Sequence, residues 1–279
     1  SCRIPPSCAD IYRLNFKGDN MGYFSPNGYV APAYYDEPGA GFLKSFTAGT
    51  LTSIPDNAFK NCTALSSVKC ASVKEIGKNA FNNTALAEFD FPALAVVSEG
   101  SFANIPTLKS ISLVGIKEIY ADTFYNCNAV TSVIFSGPTK IPESMSFDDC
   151  FPQLKSFKSS YTEEIPAYAF SGCSNLSSVT IKNVHTIGEE AFKDCAIVEV
   201  ECYASSIGKN AFFNCKSITS VEMSAKVSTV GAGAFNLYPY MEKPPVLKFN
   251  CIGDINDWAQ TQFENESSTP MCKNSEITF

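Results

Sequence analysis

The sequence predicts an α/β repeat fold: a right-handed solenoid with short strands on a concave face and short helical or 3-10 turns on a convex one. Three observations carry this. A motif of the form Ile-x-x-x-Ala-Phe recurs along the chain, its period stays near 22 residues, and the apolar positions after each Phe alternate with polar ones.

The motif reads "IPDNAF" (Ile54–Phe59), "IGKNAF" (Ile76–Phe81), "VSEGSF" (Val97–Phe102), "IYADTF" (Ile119–Phe124) and "IPESMSF" (Ile141–Phe147). It continues as "IPAYAF" (Ile165–Phe170), "IGEEAF" (Ile187–Phe192), "IGKNAF" again (Ile207–Phe212) and "VGAGAF" (Val230–Phe235). The nine phenylalanines stand 22, 21, 22, 23, 23, 22, 20 and 23 residues apart. A period held that closely marks a solenoid.

Each element of the unit has its reason. Gly or Pro after the Ile sets a turn, Pro suiting a first helical position and Gly bending freely. Asp, Asn and Glu beside it suit the start of a short helix or 3-10 turn. Ala permits close backbone approach, and Phe fills the space between layers. The polar residue and Cys that often follow, as in "FKNC", "FYNC" and "FSGC", favour a tight turn. Then comes a strand of the pattern Leu-x-x-Val-x-Ile, as at Leu65/Val68/Cys70 and Leu176/Val179/Ile181, with one face buried. A unit of about 22 residues cannot bury its own apolar face, and stacking supplies the cover.

The repeats frame three segments: an N-terminal cap at 1–41, a solenoid of nine to ten units at 42–249, and at 250–279 a C-terminal cap or the start of a continuing array. Leu43, Phe46 and Ala48 fit a strand ahead of the first full unit, Leu247–Phe249 is the strand of the last, and "SEITF" (Ser275–Phe279) reads as one more. The Tyr- and Pro-rich stretch Met21–Pro38 is read as shielding the first strand edge. The array has irregular units. Thr84, Ile105 and Tyr238 stand where other units have Cys, and one extra residue precedes Phe147.

Composition narrows the function classes. A net charge of −7 argues against a nucleic-acid partner. No apolar run reaches the length of a bilayer span. The chain starts at Ser1 with no signal segment, which reads as a mature or trimmed form. No two of the 12 cysteines are three residues apart, so CxxC metal or redox pairs are absent. Cys62, Cys127, Cys150, Cys173, Cys195 and Cys215 all fall three residues after the repeat Phe, as expected of a buried ladder of reduced thiols. Cys2 and Cys8, and Cys251 and Cys272, lie outside the units, where disulfides would staple the solenoid ends.

Catalysis finds little support. His185, the one histidine, occupies a charge-tolerant turn position with no nucleophile–base motif near it. The paired carboxylates Asp148/Asp149, Glu163/Glu164 and Glu189/Glu190 sit in turns or helix starts, where the N-terminal dipole accounts for them. No enzyme activity, catalytic residue, metal or cofactor is expected. The outward strand positions are more informative, because they vary while the inward ones stay apolar. Lys69, Asp90, Ser112, Ile134, Lys158, Thr180, Glu201 and Glu222 form one row, continued by Lys248. A second row is rich in Ser and includes Glu199. These nine residues, Lys69 to Glu222 with Glu199, are the candidate ligand-binding face, since concave solenoid faces are the usual binding surface.

The unit I-[GP]-x-x-A-F-x-x-C-x-x-L-x-x-V-x-I resembles the BspA-like, or Treponema pallidum type, leucine-rich repeat over about Leu43 to Phe249. The segment Gly253–Pro270, with Trp258, is similar to those that close repeat arrays in such surface proteins. The resemblance implies a leucine-rich repeat solenoid at the cell surface or secreted, and adhesion-type binding of a protein ligand. A host matrix or partner-cell surface protein is the implied partner, with a glycan as a further candidate. The alternative expectation is a spacer or stalk segment of a longer wall-attached protein.

Overall fold

In the computed structural model, residues 44–264 are described except 50, 182–183, 225, 240–241, 243–246, 254–255 and 257–258, together with the strands at 2–3, 12–15, 21–25, 28–30 and 275–278. The chain divides into two compact units, Ser1–Val130 and Thr131–Phe279. Each is a parallel β-solenoid built from two rows of strands joined by arcs.

In the first unit the long-strand row runs β1 (Cys2–Arg3), β5 (Ser45–Thr47), β7 (Ser67–Lys69), β9 (Glu88–Asp90), all parallel. Pairing of Cys2 with Phe46 and Arg3 with Thr47 covers the edge of β5. An antiparallel meander, β2 (Tyr12–Asn15), β3 (Met21–Ser25) and β4 (Gly28–Val30), lies between them in sequence. A second row, not foreseen from the sequence, pairs β6 (Ser53–Ile54), β8 (Glu75–Ile76) and β10 (Val96–Val97). β11 (Ser110–Leu113) is the last strand of this unit.

The second unit repeats the plan. Its long row is β12 (Ser132–Phe135), β13 (Ser156–Ser159), β15 (Ser178–Ile181), β17 (Glu199–Cys202), β19 (Ser220–Ser224), β21 (Leu247–Ile252) and β23 (Ser275–Thr278). Its short row is β14 (Glu164–Ile165), β16 (Thr186–Ile187), β18 (Ser206–Ile207), β20 (Thr229–Val230) and β22 (Gln262–Phe263). The motif Ile is therefore the inward residue of a two-residue strand, with Ile165, Ile187, Ile207 and Val230 buried in register. Past Phe249 both rows continue, through β22 and β23, each parallel to its predecessor.

The arcs depart from expectation. Within the repeats the only helix among the described residues is α1 (Phe147–Cys150); the other arcs are hydrogen-bonded turns. Backbone dihedrals give the reason. In most arcs two residues take left-handed conformations, as at Asn57 and Asn61 (φ 57° and 64°), Asn79 and Asn83 (53° and 60°), and Asn210 and Asn214 (53° and 60°). Asn tolerates that region better than most residues. The alternation turns peptide N–H groups along the stack, toward the next coil, instead of into a helix. Phe59 N donates to Ala80 O (2.7 Å) and Phe81 N to Ser101 O (2.8 Å); in the second unit Phe170 N donates to Ala191 O and Phe192 N to Ala211 O (both 2.8 Å). α1 forms where the extra residue sits: Ser146 Oγ caps it by accepting from Asp149 N at 3.2 Å.

Side chains stack on the same axis. Phe59, Phe81, Phe102 and Phe124 follow one another at 5.2, 5.3 and 5.4 Å between ring centroids in the first unit. Phe147, Phe170, Phe192, Phe212 and Phe235 do so at 4.0, 5.0, 5.3 and 5.2 Å in the second. Such pairs contribute about 0.5–1.5 kcal/mol each beyond burial. Beside them Cys127, Cys195 and Cys215 Sγ donate to the carbonyls of Phe102, Phe170 and Phe192 at 3.1, 3.1 and 2.9 Å. Thr84 substitutes for Cys with a hydroxyl that donates to Phe81 O at 2.9 Å. In the ninth repeat the buried residue is Leu237, and Tyr238 turns outward to bond Lys216 O.

Candidate functional site

The alternation of the long strands sends one set of side chains into the core and the other to solvent. Inward, Val133, Phe157, Val200, Val221 and Phe249 are buried. Outward in the first unit, Lys69 lies in register between Thr47 and Asp90, all exposed, and Ser112 is exposed on β11. Outward in the second unit, Ile134, Lys158 and Thr180 are register partners. Glu201, Glu222 and Asn250 are likewise partners. The pairing of Ile181 with Cys202 sets Thr180 beside Glu201. Glu199 is exposed in the neighbouring row, opposite Ser220, and a hydroxyl ladder there includes Ser156 Oγ donating to Ser132 Oγ at 3.0 Å.

The last strand shifts one expectation. Lys248 pairs with Ser220, and Asn250 takes the place beside Glu222. The burial pattern explains the shift: buried Phe249 stands next to Val221 and buried Cys251 next to Met223, so the outward residue between them is Asn250.

The centre of the face in the second unit is Glu222. Its Oε1 accepts from Tyr203 Oη at 2.6 Å and its Oε2 from Asn250 Nδ2 at 3.3 Å, while Thr278 Oγ1 donates to Asn250 Oδ1 at 3.4 Å. Donation to the carboxylate, some desolvation and the charges of Glu222 and Glu201 push the Tyr203 hydroxyl up to about 12. Tyr203 and Asn250 were missed in the sequence. Tyr203 lies two residues past Glu201, and Asn250 becomes part of the row only through the register of β21. The ion pairs found among the described residues, Lys78–Glu99, Lys193–Glu190 and Lys209–Glu189, all lie on arcs. Glu201 and Glu222 are thus like charges in register with no salt-bridge partner among the described residues, an arrangement that opposes strand pairing.

The remaining candidates separate from this face. His185 is exposed, with its backbone bridging Glu163 and Ser205. Asp148 and Asp149 occupy the first turn of α1, and partial burial together with the Asp149 charge raises the Asp148 carboxyl above its ordinary range. Burial pushes the thiols of Cys62, Cys70 and Cys202 up to about 11 and those of Cys127 and Cys215 up to about 12, so they are protonated at neutral pH. Cys251 is a buried free thiol. Of Cys2 only the strand backbone is described. Leu43, Trp258, Cys8 and Cys272 lie outside the described residues. No helix among the described residues is long and apolar enough to cross a membrane.

Among solved structures, a leucine rich cell surface protein of Faecalibacterium prausnitzii A2-165 aligns at 16% identity over 90% of this chain and 96% of its own, with a TM-score of 0.35. A leucine-rich repeat protein of Bacteroides ovatus ATCC 8483 aligns at 18% identity over 99% and 91%, with a TM-score of 0.32. The pneumococcal vaccine antigen PcpA aligns at 15% identity over 97% and 98%, with a TM-score of 0.35. A search of the curated proteins returns no match. The family model of the BspA type leucine rich repeat region, in 6 copies, matches residues 41–155 and 141–268. With its repeat unit, strand rows and inward ladder all in place, the chain belongs to the BspA type leucine rich repeat family.

Proposed function

We propose that this chain is a non-enzymatic binding module, displayed at the cell surface or secreted, which engages a protein ligand through the outward face of its long strands. Membership of the BspA type leucine rich repeat family supports that location and role. The observation that carries the reading is the contrast within single strands. In β17 and β19 the inward residues Val200, Cys202, Val221 and Met223 are buried, whereas Glu201 and Glu222 hold adjacent charges that strand pairing does not favour. Packing accounts for the first set and not for the second. Recognition would proceed by surface complementarity over many strands, with no covalent step. A preorganised ladder of this kind avoids the ordering penalty of flexible loops.

The test is binding to immobilised host matrix proteins and partner-cell surface proteins. The native chain is compared with a variant carrying Lys69→Glu, Lys158→Glu, Glu201→Lys and Glu222→Lys, both checked by circular dichroism. Loss of at least about tenfold in affinity with the fold intact is the expected outcome. Undiminished binding by the variant would move the site to the arcs or end segments and sink the proposal. Absence of binding by the native chain across the panel would favour the spacer reading.

A further inference from the structure

The cysteine column has a consequence independent of binding. Cys150, Cys173, Cys195 and Cys215 occupy the same position in four consecutive coils of the second unit, all buried. They lie close enough that Cys173 senses Cys150, and Cys195 senses both Cys215 and Cys173. Cys195 and Cys215 aim their S–H groups at the carbonyls of Phe170 and Phe192, one coil back; Cys127 does the same toward Phe102 in the first unit. The thiol proton thus adds a second, inter-coil donor to carbonyls of Phe170 and Phe192 that already accept from Cys173 N (3.1 Å) and Cys195 N (3.3 Å). A disulfide would remove that donor, and forming it would require two thiols to turn away from their carbonyls.

We propose that this column is a redox gate on folding: closed coils hold the thiols reduced and unreactive, whereas a chain that meets a disulfide oxidant before its coils close is trapped. The reaction is thiol–disulfide exchange with a low-molecular-weight disulfide such as glutathione disulfide. Two protein thiols are oxidised to one disulfide, and the reagent is reduced to two thiols that take up the two protons and two electrons. In the open chain the loops between successive column positions are short, 23, 22 and 20 residues from Cys150 to Cys215, and such loops close readily. Once coils close, exchange requires local opening, and burial holds the thiols protonated, further limiting attack.

Two measurements on the full chain test this. In the first, native and urea-unfolded chains are treated with iodoacetamide and mapped by mass spectrometry. Cys127, Cys173, Cys195 and Cys215 should be labelled roughly 1,000-fold more slowly in the native chain. Labelling at the unfolded rate with circular dichroism unchanged overturns the proposal. In the second, the unfolded chain is incubated with glutathione disulfide and then diluted from urea. It should recover less than about a tenth of its native circular dichroism and regain the rest on adding dithiothreitol. Full recovery without reductant overturns the proposal, as does a trapped state whose mapped disulfides involve only Cys2, Cys8, Cys251 and Cys272.

Discussion

At the scale of single residues, the repeat allows each position to be compared with its counterparts in other coils. Ser101 occupies the place held by Ala58 and Ala80 in the same unit, and it is fully buried. Its backbone does the expected work, accepting from Phe81 N, but its hydroxyl finds no partner among the described residues. Thr123, at the equivalent place one coil on, has a use for its hydroxyl, which accepts from Tyr120 N at 2.9 Å. A buried hydroxyl without a bond is destabilising by about 1–3 kcal/mol relative to one that has it. Ser101→Ala is therefore expected to raise unfolding stability by about 1 kcal/mol, read as a higher urea midpoint at unchanged m-value. An unchanged or lower midpoint would mean that the hydroxyl is satisfied. Tyr168 is a second exception: it adopts φ 61° where Asn and Gly are the usual occupants, and its side chain is largely exposed.

At the scale of the element, the arcs show what a glycine after the motif Ile is for. The sequence reading assigned it bending freedom; the structure assigns it close approach. A Cβ on Gly188 would stand 2.4 Å from Ala167 N and 2.7 Å from Pro166 C, the backbone of the coil before. Gly49, by contrast, has nothing within 4 Å of such an atom. Gly188→Ala should destabilise by about 1–3 kcal/mol, the range of an overpacked core site, while Gly49→Ala should be neutral or mildly stabilising. Chemical denaturation of the two variants side by side decides the matter, and equal effects would refute the close-approach account. The same scale shows what the sequence made legible. The inward strand positions, the Phe stack and the buried Cys ladder could be read because burial imposes one chemistry at one spacing. The short-strand row escaped because two residues, one inward and one outward, are too few to display alternation. The arcs were misread as helical because Asp, Asn and Glu signal helix starts, whereas here the Asn side chains bond coil to coil, as Asn83 Nδ2 does to Asn61 Oδ1 at 3.0 Å. The outward row was legible as far as β19 and then lost at Lys248, since a loop of irregular length precedes β21 and leaves its register to tertiary packing. Tyr203 and Asn250, which hold Glu222 in place, were therefore beyond reach of the motif alone.

At the scale of the whole molecule, the buried thiols couple stability to pH in one direction. The ordinary thiol value is 9.0, whereas Cys62 and Cys202 are raised to about 11, and Cys127 and Cys215 to about 12, in each case chiefly by burial. Cys173 and Cys195 are driven higher still, by burial first and then by neighbouring acidic groups. Below pH 9 both folded and unfolded chains keep these protons, and the thiols leave stability unchanged. Above it the unfolded chain releases protons that the folded chain retains, so unfolding is favoured as pH rises toward the folded values. Each thiol contributes about 1.4 kcal/mol of lost stability per pH unit in that window. Each solenoid unit holds at least two such thiols, among them Cys62 and Cys127 in the first and Cys202 and Cys215 in the second. By about pH 10 the loss in either unit approaches 3 kcal/mol from these pairs, a large fraction of the 5–15 kcal/mol typical of a domain. The chain should consequently unfold cooperatively between about pH 10 and 11, with thiolate absorbance rising together with the loss of circular dichroism. Thiolate appearing near pH 9 while the dichroism persists would show that the thiols reach solvent in the folded chain, contradicting both this coupling and the column's role as a closed gate.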